Sequence, residues 1–310
     1  MTILYWNAKN MDWFNIKEKS AGKKRLIITW KLYKLLGTQI ALIIAFFVAL
    51  ITFISNKDIR KYSFKYFETL YNFTKNQNHK PSLLNSFKHT YSYAESLVYK
   101  MEAFAGTYNC NKINFTNKDS QEKLFKQIQE KKGILFICNH VGNVEILKTF
   151  FTTNDNIKPT TVSIFLQKEH CSIFNNFINT IEKKSEILKI YPIEEIDMTT
   201  VSEIDDNLSN GGIVFIAGDR ISANNPNKTI EEMLLNKKIN LPIGVFKLAQ
   251  ILDCTTYFIS CVKTKQGYDI LLEEQSSTNL NTLPKRFITF LENIIKNYPF
   301  QFYHFYDIFK

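Results

Sequence analysis

The distribution of apolar and polar positions divides the chain into three stretches. Residues 35–56 hold no charge, and the run LLGTQIALIIAFFVALITFI, residues 35–54, is long enough as a helix to cross a hydrocarbon layer of about 30 Å. Residues 58–100 carry aromatic and apolar side chains at helical spacing (Tyr62, Tyr66, Phe67, Leu70 and Phe73, then Tyr91, Tyr93 and Leu97). A polar break, NQNHKPS around Pro81, separates the two sets, which predicts two amphipathic helices. From Lys112 onward the pattern alternates. Short β-like runs at 133–138, 161–166, 187–193, 212–217, 255–262 and 268–273 are interleaved with helical windows at 120–131, from about 145, and at 172–186, 199–209, 243–252 and 284–297. This layering predicts an α/β fold, a mixed sheet flanked by helices, preceded by an N-terminal membrane helix. No internal repeat interrupts it.

The flanks of the apolar run sharpen the membrane reading. Lys17, Lys19, Lys23, Lys24, Arg25, Lys31 and Lys34 precede it, Lys57, Arg60, Lys61 and Lys65 follow it, and Trp6, Trp13 and Trp30 lie on the upstream side. Basic flanks prefer the cytoplasmic side. A helix with two of them reads either as a weakly oriented span or as one lying partly in the interface, its ends snorkelling into the same leaflet. The run begins too deep in the chain for a cleaved signal peptide and ends in FISNKD without a small-residue cleavage site. The other alternative is a buried helix of a globular core. The expected organisation is a membrane-anchoring segment, residues 1–57, and an α/β domain, residues 58–310.

Composition removes other classes. In 310 residues, 45% apolar and 22% charged positions fit a packed globular chain and exclude disorder, collagen and rods. A net charge of +10 favours an anionic partner: lipid phosphate, nucleic acid or an acidic protein. A membrane-tethered basic module binding nucleic acid lacks any helix-turn-helix, zinc or RNP-like signature. The five cysteines, Cys110, Cys138, Cys171, Cys254 and Cys261, form no CxxC pair and no Cys/His cluster, so the sequence predicts a reducing compartment, no disulfide framework and no metal site. Abundant Lys, Asn and Ile fit an AT-rich bacterial genome.

One segment carries chemistry. KKGILFICNHVGNVEIL, residues 131–147, sets an apolar strand, a polar turn from Asn139 and a helix start in sequence, where α/β sheets place reactive groups. On one continuous helix His140 and Glu145 would point about 140° apart, so pairing them needs an irregular turn, which Gly142 supplies. With Asn143 as N-cap, Glu145 falls in the first helical turn, where the dipole keeps it ionised and able to hold one imidazole nitrogen, leaving the other as a general base. His140 alone has an acid five residues on; His79, His89, His170 and His304 are followed there by Leu84, Ala94, Asn175 and Phe309. The alternative for His140 is a structural capping histidine. Cys138, two residues away on the same strand face, lies in an apolar run where an inert thiol is the ordinary outcome.

NHVGNVE resembles the H-x4-D/E motif of the lysophospholipid acyltransferase superfamily, in the H-x-G-N-x-E form of the late (lauroyl/myristoyl-type) acyltransferases of lipid A biosynthesis. Three further blocks agree in order. GGIVFIAGDR (211–220) is similar to the strand-ending Asp-Arg or Asp-Gln block, NLPIGVFKLAQIL (240–252) to the P-x-G-x-F-x-L-A block, and NYPFQFYHFYDIF (297–309) to the Tyr-Pro-x-Gln-aromatic ending. An N-terminal apolar helix with basic flanks is also a feature of these enzymes. The chain departs from the pattern at Val144, where an aromatic is usual, at Leu234, Leu235 and Asn236, in place of Phe-Leu-Gly, and at Phe302, in place of Trp. The Asp-Arg form also occurs in members whose acceptor need not be lipid A.

The resemblance implies a glycerolipid acyltransferase-like fold at the bacterial inner membrane, its site facing the cytoplasm. It implies transfer of a fatty acyl group from acyl carrier protein or coenzyme A to a hydroxyl of a lipid acceptor, a lipid A precursor first. A lysophospholipid, an aminolipid or a polyketide-type acceptor is the alternative. His140 would remove the hydroxyl proton and Glu145 would orient His140. Backbone amides around Gly142 and Asn143 would meet the oxyanion. Asn139, Gly142, Asn143, Asp219, Arg220, Pro242 and Gly244 would line the substrate site. Arg220 would bind a phosphate of the acceptor or of a phosphopantetheine arm, and Asp219 would hold Arg220 or its loop. Metal and redox cofactors are not implied.

Overall fold

The computed structural model describes residues 23–104, 107–154, 157, 159–166, 187–221, 227–252 and 254–309. Trp6, Trp13, Lys17, Lys19, His170, Cys171 and the helical window 172–186 lie outside the described residues. The chain divides into two compact units. One holds the described residues up to Glu102 with Met233–Ile239 and Glu292–Lys310, the other Ala103–Glu232 with Asn240–Leu291. This division cuts the chain at other points than the change of composition near residue 57.

In the first unit, α1 (Lys23–Ser55) leaves helical geometry at Gly37 (φ 73°, ψ 171°) and resumes beyond it. Its stretch Tyr33–Ser55, with a mean hydropathy of 2.4, is long and apolar enough to cross a membrane. Asn56 ends α1 and caps α2 (Lys57–Thr74), its Oδ1 accepting from the amides of Asp58 and Ile59. Arg60 donates to the carbonyls of Phe53 and Ile54, which have no further turn of α1 to bond. A single 3₁₀ turn (Gln77–His79) and Pro81 separate α2 from α3 (Leu83–Phe104), as the polar break predicts. The aromatic stripes of these helices are core only in part: Tyr62, Phe73, Tyr91 and Tyr93 are half-buried and Leu97 is exposed. Tyr66, Phe67 and Leu70 are buried, and the rings of Phe300, Phe302, Tyr303 and Phe305 from the C-terminal tail pack against Tyr66, Phe67, His89 and Tyr93. His89 is wholly buried: its Nε2 donates to the Phe302 carbonyl (2.8 Å) and its Nδ1 accepts from Ser63 Oγ (3.0 Å).

The second unit is built on a seven-stranded mixed sheet in the order β1-β9-β8-β2-β5-β3-β4. Its strands are β1 (Ile113–Phe115), β2 (Ile134–Gly142), β3 (Val162–Leu166), β4 (Leu188–Pro192), β5 (Ile213–Ala217), β8 (Thr255–Lys263) and β9 (Tyr268–Glu274). β8, β2, β5, β3 and β4 run parallel; β9 is antiparallel to β8, and β1 is parallel to β9. Ile134, Leu135, Phe136 and Ile137 of β2 are fully buried, as a central parallel strand covered on both faces requires. The accompanying helices are α4 (Lys118–Gln129), α5 (Val144–Thr153), α6 (Met198–Ser209), α7 (Ile243–Ile251) and, as far as Leu291, α8 (Leu283–Asn297). Every sequence-predicted run among the described residues forms the expected element. The short β1 and a hairpin, β6 (Thr229–Leu234) and β7 (Lys237–Pro242), were not expected; the hairpin turns at Leu235 and Asn236 with φ of 54° and 61°.

After β2 the chain adds strands first on one side of it (β3, β4, β5) and then on the other (β8, β9). The winding therefore reverses at β2, and an open α/β sheet holds its ligands outside the carboxyl ends of the strands at such a point.

Candidate active site

His140 stands at that point. β2 and β5 pair in register from Ile134↔Ile213 to Cys138↔Ala217. The Gly218 amide extends the pairing by donating to the Cys138 carbonyl at 2.9 Å. A Cβ on Gly218 would stand 2.8 Å from Ile137 Cγ2, so glycine is what allows β5 to stay against β2 this far. One residue later a side chain takes over from the backbone. The His140 amide donates to Asp219 Oδ2 at 2.7 Å, and the His140 ring meets Asp219 Oδ1 through Nδ1, also at 2.7 Å.

These two contacts settle the chemistry of the ring. A carboxylate only accepts, so Nδ1 carries a hydrogen, and in the neutral ring Nε2 then carries the lone pair. The Asp219 side chain is 2% exposed and that of His140 33%, so the acid is buried while part of the ring reaches solvent. Burial, and next the positive charge of Arg220, hold the His140 pKa below its ordinary value; the charge and hydrogen bond of Asp219 and the charge of Glu145 oppose them. The lowered pKa favours the neutral form, the one a general base needs.

The partner of Nδ1 differs from the sequence-based expectation. Glu145 was to hold a ring nitrogen, yet the carboxylate on Nδ1 is that of Asp219, which was expected to hold Arg220 or its loop. Sheet order explains this: β5 lies directly beside β2 and delivers Asp219 level with His140. Glu145 occupies the first turn of α5, as expected, near enough for its charge to act on His140.

Between His140 and α5 the chain makes the irregular turn. Relative to β8, β2 runs in register to Cys138↔Ile259 and resumes at Gly142↔Cys261, so extra residues of β2 bulge between these points. Asn139 holds the bulge: its Oδ1 accepts from the Val141 amide and from Ser260 Oγ, each at 3.0 Å. Gly142 has φ 74°, and a Cβ there would lie 2.0 Å from the Cys261 carbonyl oxygen. That carbonyl accepts the Asn143 amide at 2.8 Å. Asn143 occupies the N-cap position of α5, although its side chain makes no capping bond to the helix. Its amide, expected among the oxyanion donors, already serves Cys261.

The remaining predicted residues sit as follows. Arg220 follows Asp219 and acts electrostatically on His140. Pro242 ends β7 as the buried N-cap of α7, and Gly244 is exposed in the first turn, with open space where a Cβ would stand. Cys138 is buried, and so is Cys261, whose thiol pKa burial pushes well up, with the charges of Asp269 and Glu145 adding to it. Among the described residues no group of three His, Cys, Asp or Glu could hold a metal ion. Compared with known proteins, the chain matches no family model and no curated protein.

Proposed function

We propose that the chain is a membrane-associated O-acyltransferase that moves a fatty acyl group from a carrier thioester to a hydroxyl of a lipid acceptor. The observation that carries this reading is an imidazole fixed through Nδ1 by a buried carboxylate, at the carboxyl end of the central strand where winding reverses. The four blocks that resemble the lipid A late acyltransferases support it. So does the apolar stretch of α1, which suits a reaction whose acceptor stays in a bilayer.

In the reaction Nε2 of His140 takes the proton of the acceptor hydroxyl as its oxygen attacks the thioester carbonyl. Asp219 stabilises the imidazolium that forms. The tetrahedral intermediate collapses, the C–S bond breaks, and the leaving thiolate recovers the proton from Nε2. The acyl group passes directly to the acceptor, with no acyl-enzyme. Donors for the oxyanion come from the first turn of α5, where helix N–H groups lack intrahelical acceptors, or from Asn139 Nδ2, which is buried and makes no hydrogen bond. Arg220 binds a phosphate of the acceptor or of a phosphopantetheine arm, and Pro242 and Gly244 contact the acyl or acceptor group. In this reading the fold is glycerolipid acyltransferase-like, the donor is acyl-acyl carrier protein or acyl-coenzyme A, and the acceptor is a lipid A precursor at the bacterial inner membrane, reached from the cytoplasm.

The test is lipid mass spectrometry of cells expressing wild type, His140→Ala or empty vector. One added acyl mass on lipid A, present with wild type and absent with the variant, is the expected result. A gain on another lipid keeps the chemistry and moves the acceptor to a lysophospholipid, aminolipid or polyketide-type compound. A folded His140→Ala variant that keeps most of the gain removes His140 from the mechanism.

A further inference from the structure

The apolar helix does not stand alone: between Thr38 and Phe53, α1 meets α3 in the antiparallel sense. At one end Thr38 Oγ1 donates to Glu102 at 3.2 Å. In the middle Phe46 meets the rings of Tyr91 and Phe87, with centroids 5.6 and 5.7 Å apart, and at the other end Phe53 meets Phe87 at 5.6 Å. One face of α1 is closed, with Ala45 and Ala49 buried. The opposite side presents Ile40, Ile43, Ile44, Phe47, Ile51 and Ile54, and with Phe46 and Val48 beside them the exposed apolar surface spans about 200° of the helix.

α3 is not a membrane helix. It carries Lys88, Glu95, Lys100 and Glu102 along the length that α1 follows. Its other side is built into the first unit by the His89 contacts to Ser63 and Phe302 and by the hydrogen bond of Ser92 with Tyr303. A helix seated along such a partner cannot pass through a bilayer without carrying those charges and that tail into the hydrocarbon. The apolar stretch of α1 meanwhile has basic residues at both ends: Lys34 at one, Lys57, Arg60 and Lys61 at the other.

We infer that α1 docks in the plane of one leaflet of an anionic bilayer, its open apolar face in the acyl-chain boundary and both basic ends at the same headgroup layer. Leu83 and Leu97, exposed on α3, extend the embedded surface. The chain is then anchored to one side of the membrane and never crosses it. This rests on the membrane association proposed above and goes beyond it.

Sidedness tests the inference. Lys34→Cys and Lys57→Cys, both at exposed positions, are made separately in the full chain with Cys110, Cys171 and Cys254 replaced by Ser. Each is treated with a membrane-impermeant maleimide in intact spheroplasts and in inverted inner-membrane vesicles. In-plane docking predicts that both cysteines label in inverted vesicles, at least tenfold more than in spheroplasts, with the protein retained after carbonate washing. Labelling of the two ends from opposite sides, or of neither end from either side, overturns in-plane docking and leaves the membrane association standing. Release by carbonate, with both ends freely labelled, overturns the membrane association itself.

Discussion

Replacing Asp219 by Asn probes the site where its geometry demands most. The carboxylate accepts two hydrogen bonds from one residue, 2.7 Å from the His140 amide and 2.7 Å from Nδ1. An Asn side chain keeps one acceptor and turns the other into a donor. With its oxygen on the backbone N–H, its NH2 faces Nδ1, which must then accept, and the ring proton moves to Nε2. The atom that should take the acceptor's proton is then already protonated. Restoring the working tautomer forfeits a hydrogen bond to a charged group, about 1.5–3 kcal/mol. The imidazolium formed in the reaction loses its counter-charge at a cost of the same order, so the total is roughly 3–5 kcal/mol, or about 10²–10⁴-fold in kcat/KM. Two measurements check this on purified full-length protein in detergent: the initial rate of acyl transfer to a hydroxyl-lipid acceptor, and the imidazole ¹⁵N spectrum. The spectrum should show hydrogen on Nδ1 in the wild type and on Nε2 in the variant, whatever the substrate is. A folded variant within threefold of wild-type activity, or one whose proton stays on Nδ1, would refute the reasoning.

Two further predictions concern stability. Gly142→Ala combines a left-handed φ of 74° with a Cβ 2.0 Å from the Cys261 oxygen. It should cost about 2–4 kcal/mol in urea unfolding, from backbone strain and disruption of the Asn143–Cys261 bond; an unchanged midpoint would mean that the turn is not as described. His89 gives a pH signature. Burial lowers its folded pKa to about 4, against about 6.5 in the unfolded chain. Below about pH 6.5 the unfolded chain binds the extra proton and the folded chain does not, so the stability present above that pH is lost as pH falls towards 4. From pH 7 to 5 the loss from His89 is about 2 kcal/mol, and a His89→Gln variant should show a pH dependence smaller by that amount. Equal slopes for the two proteins would sink this assignment.

The sheet and helices were legible because their patterns are local. ILFIC in β2 and IVFIA in β5 are apolar runs of strand length, and α4 and α8 carry their periodicity openly. The β6–β7 hairpin escaped for a chemical reason. Its two-residue turn is Leu235-Asn236, with positive φ at both positions, where the usual signal is Asn-Gly or Gly-Gly; buried Leu235 donates its amide to Glu292 instead. His140 was legible as the strand-ending polar residue before a glycine turn. Its carboxylate partner was not, because spacing along the chain can offer only a sequence neighbour such as Glu145, whereas Asp219 arrives from 79 residues away through strand order. The same limit applies to Asn143, whose amide is taken up by a strand that begins far downstream.

That strand order also sets when the site can exist. In the finished sheet β5 separates β2 from β3, although β3 is made first. A nascent chain that has reached β3 therefore has no native neighbour for either strand, and the central pairing waits until β5 leaves the ribosome and inserts between them. Until then His140 has no anion on Nδ1 and its imidazole is an ordinary solvated one. On the function proposed above, an unfinished or truncated chain would carry α1 without the His140–Asp219 pair, and reactivity would wait for closure of the sheet's centre.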